Sequence, residues 1–213
     1  SEFAKFPPHE GEKSPQVCSF NSAYFIQPGE PIGNPYQKMI LVPFGEYLLL
    51  ESIVKWPTWL VPKVFKQIPG KGRRYFELTN KTRFVVLICW ENLFSEFVRP
   101  SIMGGAQLVV HITNDNWFGR TAAPTQHNLA TVLRAVENRV PVMISSNTGP
   151  SQIIDPYGRI KASIPNLFTE GIAIAEVTPG YGPTFYTRFG DLFAYFCMII
   201  VFISFSLGVL RKR

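Results

Sequence analysis

Hydrophobic positions along this chain change their period repeatedly, and each change predicts an element. Phe84-Val-Val-Leu-Ile88 is an unbroken apolar run, the pattern of a strand buried on both faces. Behind it come the acidic Glu91 and then Leu93, Phe94, Phe97 and Val98 at helical spacing, which predicts a helix opening at Cys89 and running to about Met103. Gln107–Thr113 reads as a second strand, Pro124–Asn138 as a helix and Val140–Ser146 as a third strand. Strands alternating with helices predict a mainly parallel α/β sheet with right-handed crossovers. The pattern then turns antiparallel: Ser151–Asp155, a turn at Asp155-Pro-Tyr-Gly158, Arg159–Ser163 and a strand at Gly171–Val177. Upstream, Val17–Ile26 and Lys38–Val42 read as strands, separated by a turn at Gln27–Glu30.

Two apolar stretches fall outside this scheme. Tyr47–Ile68 carries Trp56, Trp59 and many aliphatic residues, interleaved with Lys55, Lys63 and Lys66 and broken by Pro57 and Pro62. Tryptophan with lysine suits a segment lying at a lipid headgroup layer, and a kinked core helix is the plain alternative. Leu192–Leu210 is nineteen residues without a charge, against the roughly 20 that a bilayer core requires. Arg211-Lys212-Arg213 follows it, so the positive-inside bias predicts a cytoplasmic C-terminus with the body on the opposite side. The expected division is thus an irregular lead-in at 1–16, an α/β unit at 17–186 with an apolar arm at 47–68, and a spanning helix with its basic tail at 187–213. No export signal is visible in the charged, proline-containing start, which suggests a chain incomplete at that end.

Composition mainly excludes. With 46% hydrophobic and 17% charged residues the chain is not of disordered type. Its net charge of +6 is spread without an arginine/aromatic block, so no nucleic-acid partner is inferred. Cys18, Cys89 and Cys197 form no C-x-x-C pair and have no histidine at ligand spacing, which argues against zinc or a disulfide framework. No metal or cofactor is expected.

Chemistry converges on strand ends. In an open α/β sheet ligands bind beyond the carboxyl ends of the strands, where Cys89, the Asn114–Gly119 loop and the Asn147-Thr148-Gly149 turn all fall. A thiol between a strand and a helix N-terminus is favoured as thiolate and has N–H groups nearby for an oxyanion; an inert buried cysteine is the bland alternative. Lys38, Glu46 and Glu91 are available as cation and carboxylates, although Lys38 and Glu46 alone would read as a solvated pair and Glu91 as a first-turn acid.

Lys38 with Leu41-Val-Pro-Phe-Gly-Glu-Tyr47, Ile88-Cys-Trp-Glu91, Thr113-Asn-Asp-Asn-Trp-Phe-Gly119, Gln126-His127, Arg134–Arg139 and Asn147-Thr-Gly149 stand in an order that resembles the apolipoprotein N-acyltransferases, the membrane-bound branch of the nitrilase superfamily. The resemblance runs from about Phe20 to the C-terminal apolar segment. It implies an αββα sandwich, truncated here on its N-terminal side, with a Glu-Lys-Cys triad. The implied reaction moves an acyl chain from a phospholipid, through a cysteine thioester, to the N-terminal amine of a diacylglyceryl-cysteine lipoprotein at the periplasmic side of the bacterial inner membrane. Position by position, Cys89 matches the nucleophile, Lys38 the oxyanion-stabilising lysine, Glu46 and Glu91 supporting carboxylates, and Trp90 and Trp117 substrate-contacting residues. Trp90 stands where many members have tyrosine. The general-base glutamate, expected upstream of Lys38, has no counterpart, which implies that this chain alone is impaired. His127 reads as a structural contact. A membrane-tethered amidase or nitrilase, and a non-catalytic lipid- or lipoprotein-binding domain, are the alternatives.

Overall fold

The structure, a computed structural model, describes residues 2–6, 16–50, 53–57 and 67–210, the side chains at 2–6, 16–18 and 209–210 excepted. Its elements are β1 (Glu2–Phe6), β2 (Gln16–Phe20), β3 (Ser22–Ala23), β4 (Tyr36–Gln37), β5 (Tyr75–Glu77), β6 (Arg83–Ile88), α1 (Ser95–Met103), β7 (Leu108–Thr113), α2 (Ala123–Asn138), β8 (Val142–Ser146), β9 (Ser151–Ile154), β10 (Ile160–Ile164), α3 (Phe185–Phe189) and α4 (Leu192–Leu210). Short 3-10 turns occupy Cys89–Leu93 and Asp115–Phe118.

One six-stranded sheet in the order β10-β9-β8-β7-β6-β5 organises the chain. β6, β7 and β8 are parallel, as the alternating pattern predicts, and β5, β9 and β10 flank them antiparallel. The apolar run of β6 is explained by its two covered faces. Val85 and Leu87 pack with Val109, Val142, Ile144 and the helix residues Val98, Ile102 and Ala135, while Phe84, Val86 and Ile88 pack with Leu108, Tyr36 and Phe76. Parallel strands buried on both faces need this continuous hydrophobicity. The sandwich expected from the resemblance is represented by this sheet and its helices; among the described residues the only other sheets are the ribbons β1–β2 and β3–β4.

Several boundaries differ from the sequence reading. The strand expected at Val17–Ile26 is divided into β2 and β3. The strand expected at Lys38–Val42 does not form: β4 ends at Gln37 and a loop follows, because the N–H groups of Met39, Ile40 and Val42 go to carboxylates of Glu91 and Glu46 instead of to a neighbouring strand. Gly171–Val177 forms no strand: Ile172 and Ile174 alternate as expected but stand 88% and 85% exposed, with no adjacent ladder to join. Of the arm at 47–68, residues 51–52 and 58–66 lie outside the described residues, as does the basic tail at 211–213. α4 has the position expected of the spanning helix, and its described large side chains, including Phe193, Phe196, Ile199 and Phe202, are exposed. Among the described residues, no helix is long and apolar enough to cross a membrane.

Candidate active site

At the end of β6 the backbone reverses. Cys89 has φ 54°, in the left-handed region, where a non-glycine residue costs on the order of 1–3 kcal/mol and persists only if its surroundings enforce it. The thiol is half-buried and free of any disulfide. An α-helix does not follow directly, contrary to the sequence expectation. Cys89–Leu93 is a 3-10 turn, and α1 begins at Ser95 after the extended Phe94. The physical reason is Glu91: its side chain folds back to accept the Ile88 N–H at 2.8 Å, which suits a tight turn rather than a continuing helix. Support for the thiol from a full helix dipole is correspondingly less than the sequence implied.

Glu91 is the hub of the site. Wholly buried, it accepts hydrogen bonds from Met39 N (2.7 Å), Ile40 N (3.1 Å), Ile88 N (2.8 Å) and the Tyr36 hydroxyl (2.8 and 2.9 Å). Burial pushes its carboxyl upward, and the N–H groups of Ile88, Ile40 and Met39 and the Tyr36 hydroxyl oppose that rise. Every one of these partners donates, so the ionised carboxylate is the form that satisfies them all. Burial, together with the charge of Glu91 and its hydrogen bond, in turn holds the Tyr36 phenol protonated, well above the ordinary tyrosine range. Glu91 thus pins the 38–40 segment against the strand end that carries Cys89. Trp90 adds a second tie through its indole N–H to Ile40 O at 3.0 Å, with its ring edge-on to Phe94.

Lys38 lies on that pinned segment, 1% exposed. Its Nζ donates to both oxygens of Glu46 at 2.8 Å, and Glu46 also accepts Val42 N at 2.8 Å, closing the turn that follows. The solvated surface pair is therefore excluded. The Lys38 backbone is strapped on both sides: its N–H donates to Asn21 O and its carbonyl accepts from Gly70 N, both at 2.8 Å. A Cβ at Gly70 would collide with the Gln37 carbonyl, so only glycine allows this approach.

Beneath the turn lies a polar layer that sequence reasoning missed. α2 turns His127, Asn128, Thr131, Arg134 and Asn138 inward, a buried face that is polar instead of apolar. Asp115 is fully buried and accepts from His127 Nδ1 (3.0 Å), Thr113 Oγ1 (3.0 Å) and Ser146 Oγ (2.8 Å). Burial alone would raise its carboxyl; hydrogen bonds from His127 and Ser146, the charge of His127 and the Thr113 hydroxyl outweigh it and hold Asp115 below the usual carboxylate range. Gly149 donates its N–H to the same Ser146 hydroxyl at 2.8 Å, and a Cβ there would run into the Asp115 carboxylate. The Asn114–Gly119 loop and the Asn147–Gly149 turn are thus joined through Asp115 and Ser146, as their strand-end positions suggested. His127 is the structural contact expected of it. Trp117 is 87% exposed. One signal in the sequence marked this layer, the lone polar His111 amid Leu108-Val-Val-His-Ile112; nothing local distinguished Tyr36, Asn92 or Thr131.

A left-handed cysteine ends a parallel strand, and the segment tied to that turn through Glu91 carries a buried lysine paired with a glutamate, in an α/β fold of the carbon–nitrogen hydrolase class. Residues 3–184 match the carbon–nitrogen hydrolase family, and the chain belongs to that family. It is 42% identical over 193 residues to an apolipoprotein N-acyltransferase of Geobacter metallireducens, covering 90% of this chain and 36% of that protein. It is 35% identical over 204 residues to one of Rhodopseudomonas palustris, covering 92% and 36%. The chain therefore spans little more than a third of the length of these relatives. Among solved structures it resembles a carbon–nitrogen hydrolase from Helicobacter pylori (TM-score 0.55, 17% identity, 74% of this chain and 56% of that one) and Nit3 of Saccharomyces cerevisiae, a nitrilase-superfamily member (TM-score 0.53, 20% identity, 71% and 51%). At these identities the likeness is one of fold.

Proposed function

We propose that this chain is the thiol-bearing part of an N-acyltransferase that moves a fatty acyl group from a phospholipid to the N-terminal amine of a diacylated lipoprotein. The observation that carries the reading is the buried Lys38 ammonium, strapped beside the left-handed Cys89 turn through Glu91. The Cys89 thiolate attacks the ester carbonyl of the phospholipid, and the charge gathering on the carbonyl oxygen faces Lys38. Collapse breaks the acyl–oxygen bond, releases the lysophospholipid as an alcohol with a proton, and leaves a thioester on Cys89. The lipoprotein amine attacks that thioester, loses a proton, and departs as the amide while the thiol is restored. Glu46 holds Lys38 in place, and Glu91 sets the distance between the two segments. Both proton transfers are assigned to a carboxylate other than Glu46 and Glu91, since these two are committed to the contacts above.

Membrane attachment belongs to the same reading. Residues 17–186 serve as the catalytic unit and 187–213 as its anchor, with the body on the periplasmic side of the inner membrane and the C-terminus in the cytoplasm. Support comes from the exposed apolar side chains of α4 and the basic residues behind it. Leu49, Leu50 and Ile53 on the described part of the arm are 42%, 54% and 79% exposed, in keeping with a lipid-facing entrance to which Trp117 also contributes.

The test is mass spectrometry of the full-length protein after incubation with phospholipid alone. One fatty acyl group on Cys89, removable by hydroxylamine and discharged by a diacylated lipopeptide, is the expected result. Lipopeptide conversion without acylated Cys89 would refute the covalent route. Acylation followed only by release of free fatty acid would identify a hydrolase.

A further inference from the structure

The carbonyl of Cys89 is held from below. His111, in the middle of β7 and completely buried, lies with Nε2 2.8 Å from that carbonyl oxygen. A carbonyl only accepts, so Nε2 carries the proton and Nδ1 is left as an acceptor. Thr131 Oγ1 supplies the matching hydroxyl at 3.3 Å from Nδ1, and Asn92 Nδ2 donates to Thr131 Oγ1 at 2.7 Å and to His127 O at 2.8 Å. The chain of donors runs in one direction, Asn92 to Thr131 to His111 to Cys89, and so fixes the tautomer of His111. Two charged or titratable groups neighbour the ring: His127, edge-on at 5.3 Å, and Asp115, bonded to His127. Burial, reinforced by the charge of His127, holds His111 down at about 4, hence neutral near pH 7.

The orientation has a direct consequence. In a trans peptide the carbonyl of one residue and the N–H of the next point in opposite directions, and among the described residues there are no cis bonds. With the Cys89 carbonyl drawn inward to His111, the Trp90 N–H is turned outward, away from the core. As one of the first residues of a 3-10 turn, Trp90 has an N–H with no helical carbonyl to bond. The Ile88 N–H, one peptide further up the strand, is held by Glu91. The peptide that follows the left-handed residue is thereby gripped directly by His111, and the strand entering it is fixed through its neighbour.

We propose that His111, backed by Thr131 and Asn92, is a positioning residue that locks the Cys89 turn and aims the Trp90 N–H at the reacting carbonyl. The proposal rests on Cys89 being the acylated nucleophile. His111 touches no substrate and exchanges no proton with it. Its contribution is to remove the freedom of one peptide plane.

The experiment compares three variants of the full-length protein. His111→Phe keeps the ring and deletes the N–H. His111→Gln puts an amide nitrogen where Nε2 stands, and His111→Asn puts one where Nδ1 stands, a bond too short to reach the Cys89 carbonyl. Folding is checked by thermal melting. Two rates are then read per folded molecule: alkylation of Cys89 by iodoacetamide, and acyl transfer from phospholipid to a diacylated lipopeptide. The expected result is a loss of kcat by at least about tenfold in Phe and Asn with KM for phospholipid within about threefold, and recovery of most of the rate in Gln. A merely structural residue would lower the melting temperature of all three and leave kcat per folded molecule unchanged. Wild-type kcat in folded His111→Phe overturns the proposal; if that variant does not fold, equal rates for Gln and Asn overturn it. Absence of acyl transfer in the wild type would refute the proposed function instead, and the alkylation rates of the same variants would still report on the turn.

Discussion

The Nζ of Lys38 lies 2.8 Å from each carboxylate oxygen of Glu46, and no part of the lysine side chain is exposed. An ammonium withdrawn this far from water requires its counter-ion, whereas breaking such a pair leaves an uncompensated charge. Glu46→Ala is therefore expected to destabilise by about 3–5 kcal/mol because it strands the fully buried ammonium, and Lys38→Met by less, because the Glu46 carboxylate it leaves is partly exposed and still held by Val42 N. Urea unfolding of both variants checks the order, and the reverse order would show that the pair is not what holds this corner.

Glu91 predicts a separation between fold and turnover. Glu91→Gln replaces one acceptor oxygen by an NH2 group facing N–H donors that already converge there. A loss of about 1–3 kcal/mol is expected, with turnover falling further because the Lys38 segment is released from the Cys89 turn. Tyr36→Phe removes one donor among several and should cost about 1 kcal/mol with most turnover kept. Equal activity losses in the two would contradict the hub.

Acid should unfold the site through two groups acting in the same direction. His111 is held at about 4 in the folded chain against an ordinary 6.5, so between those values the unfolded state binds the extra proton, and stability present above 6.5 is lost as pH falls toward 4. Fully realised, this is about 3 kcal/mol. Asp115, held below its ordinary 3.8, contributes stability present above that value and lost as pH falls further. Urea midpoints measured from pH 7 to 4.5 should fall in the wild type and fall less in His111→Gln; identical slopes would place the acid sensitivity elsewhere.

Trp117, at 87% exposure, predicts a difference between stability and substrate use. Trp117→Ala should shift unfolding by no more than about 0.5 kcal/mol. If the loop meets the acyl donor, KM for phospholipid presented in vesicles should rise severalfold while alkylation of Cys89 by iodoacetamide stays unchanged. A variant indistinguishable from wild type in KM would remove Trp117 from the substrate path.

What the chain carried in its own order was the scaffold. β6, β7, β8 and α2 were legible because a strand covered on both faces demands an unbroken apolar run, and a helix on such a sheet demands residues at helical spacing. Cys89, Lys38, Glu46 and Glu91 were legible as candidates from their motifs. Their arrangement was not, because it depends on partners distant in sequence: Glu91 meets Met39 and Ile40 across some fifty residues, and Asp115 meets Ser146 across 31. Only the tertiary structure turned Glu91 from a first-turn acid into a buried clamp and Lys38 from a surface cation into a buried one. It likewise replaced the predicted helix start with a left-handed cysteine in a 3-10 turn. Local propensity could not foresee that strain, since the energy opposing it comes from peptide groups held by His111 and Glu91, which the sequence places 22 residues downstream and within the turn itself.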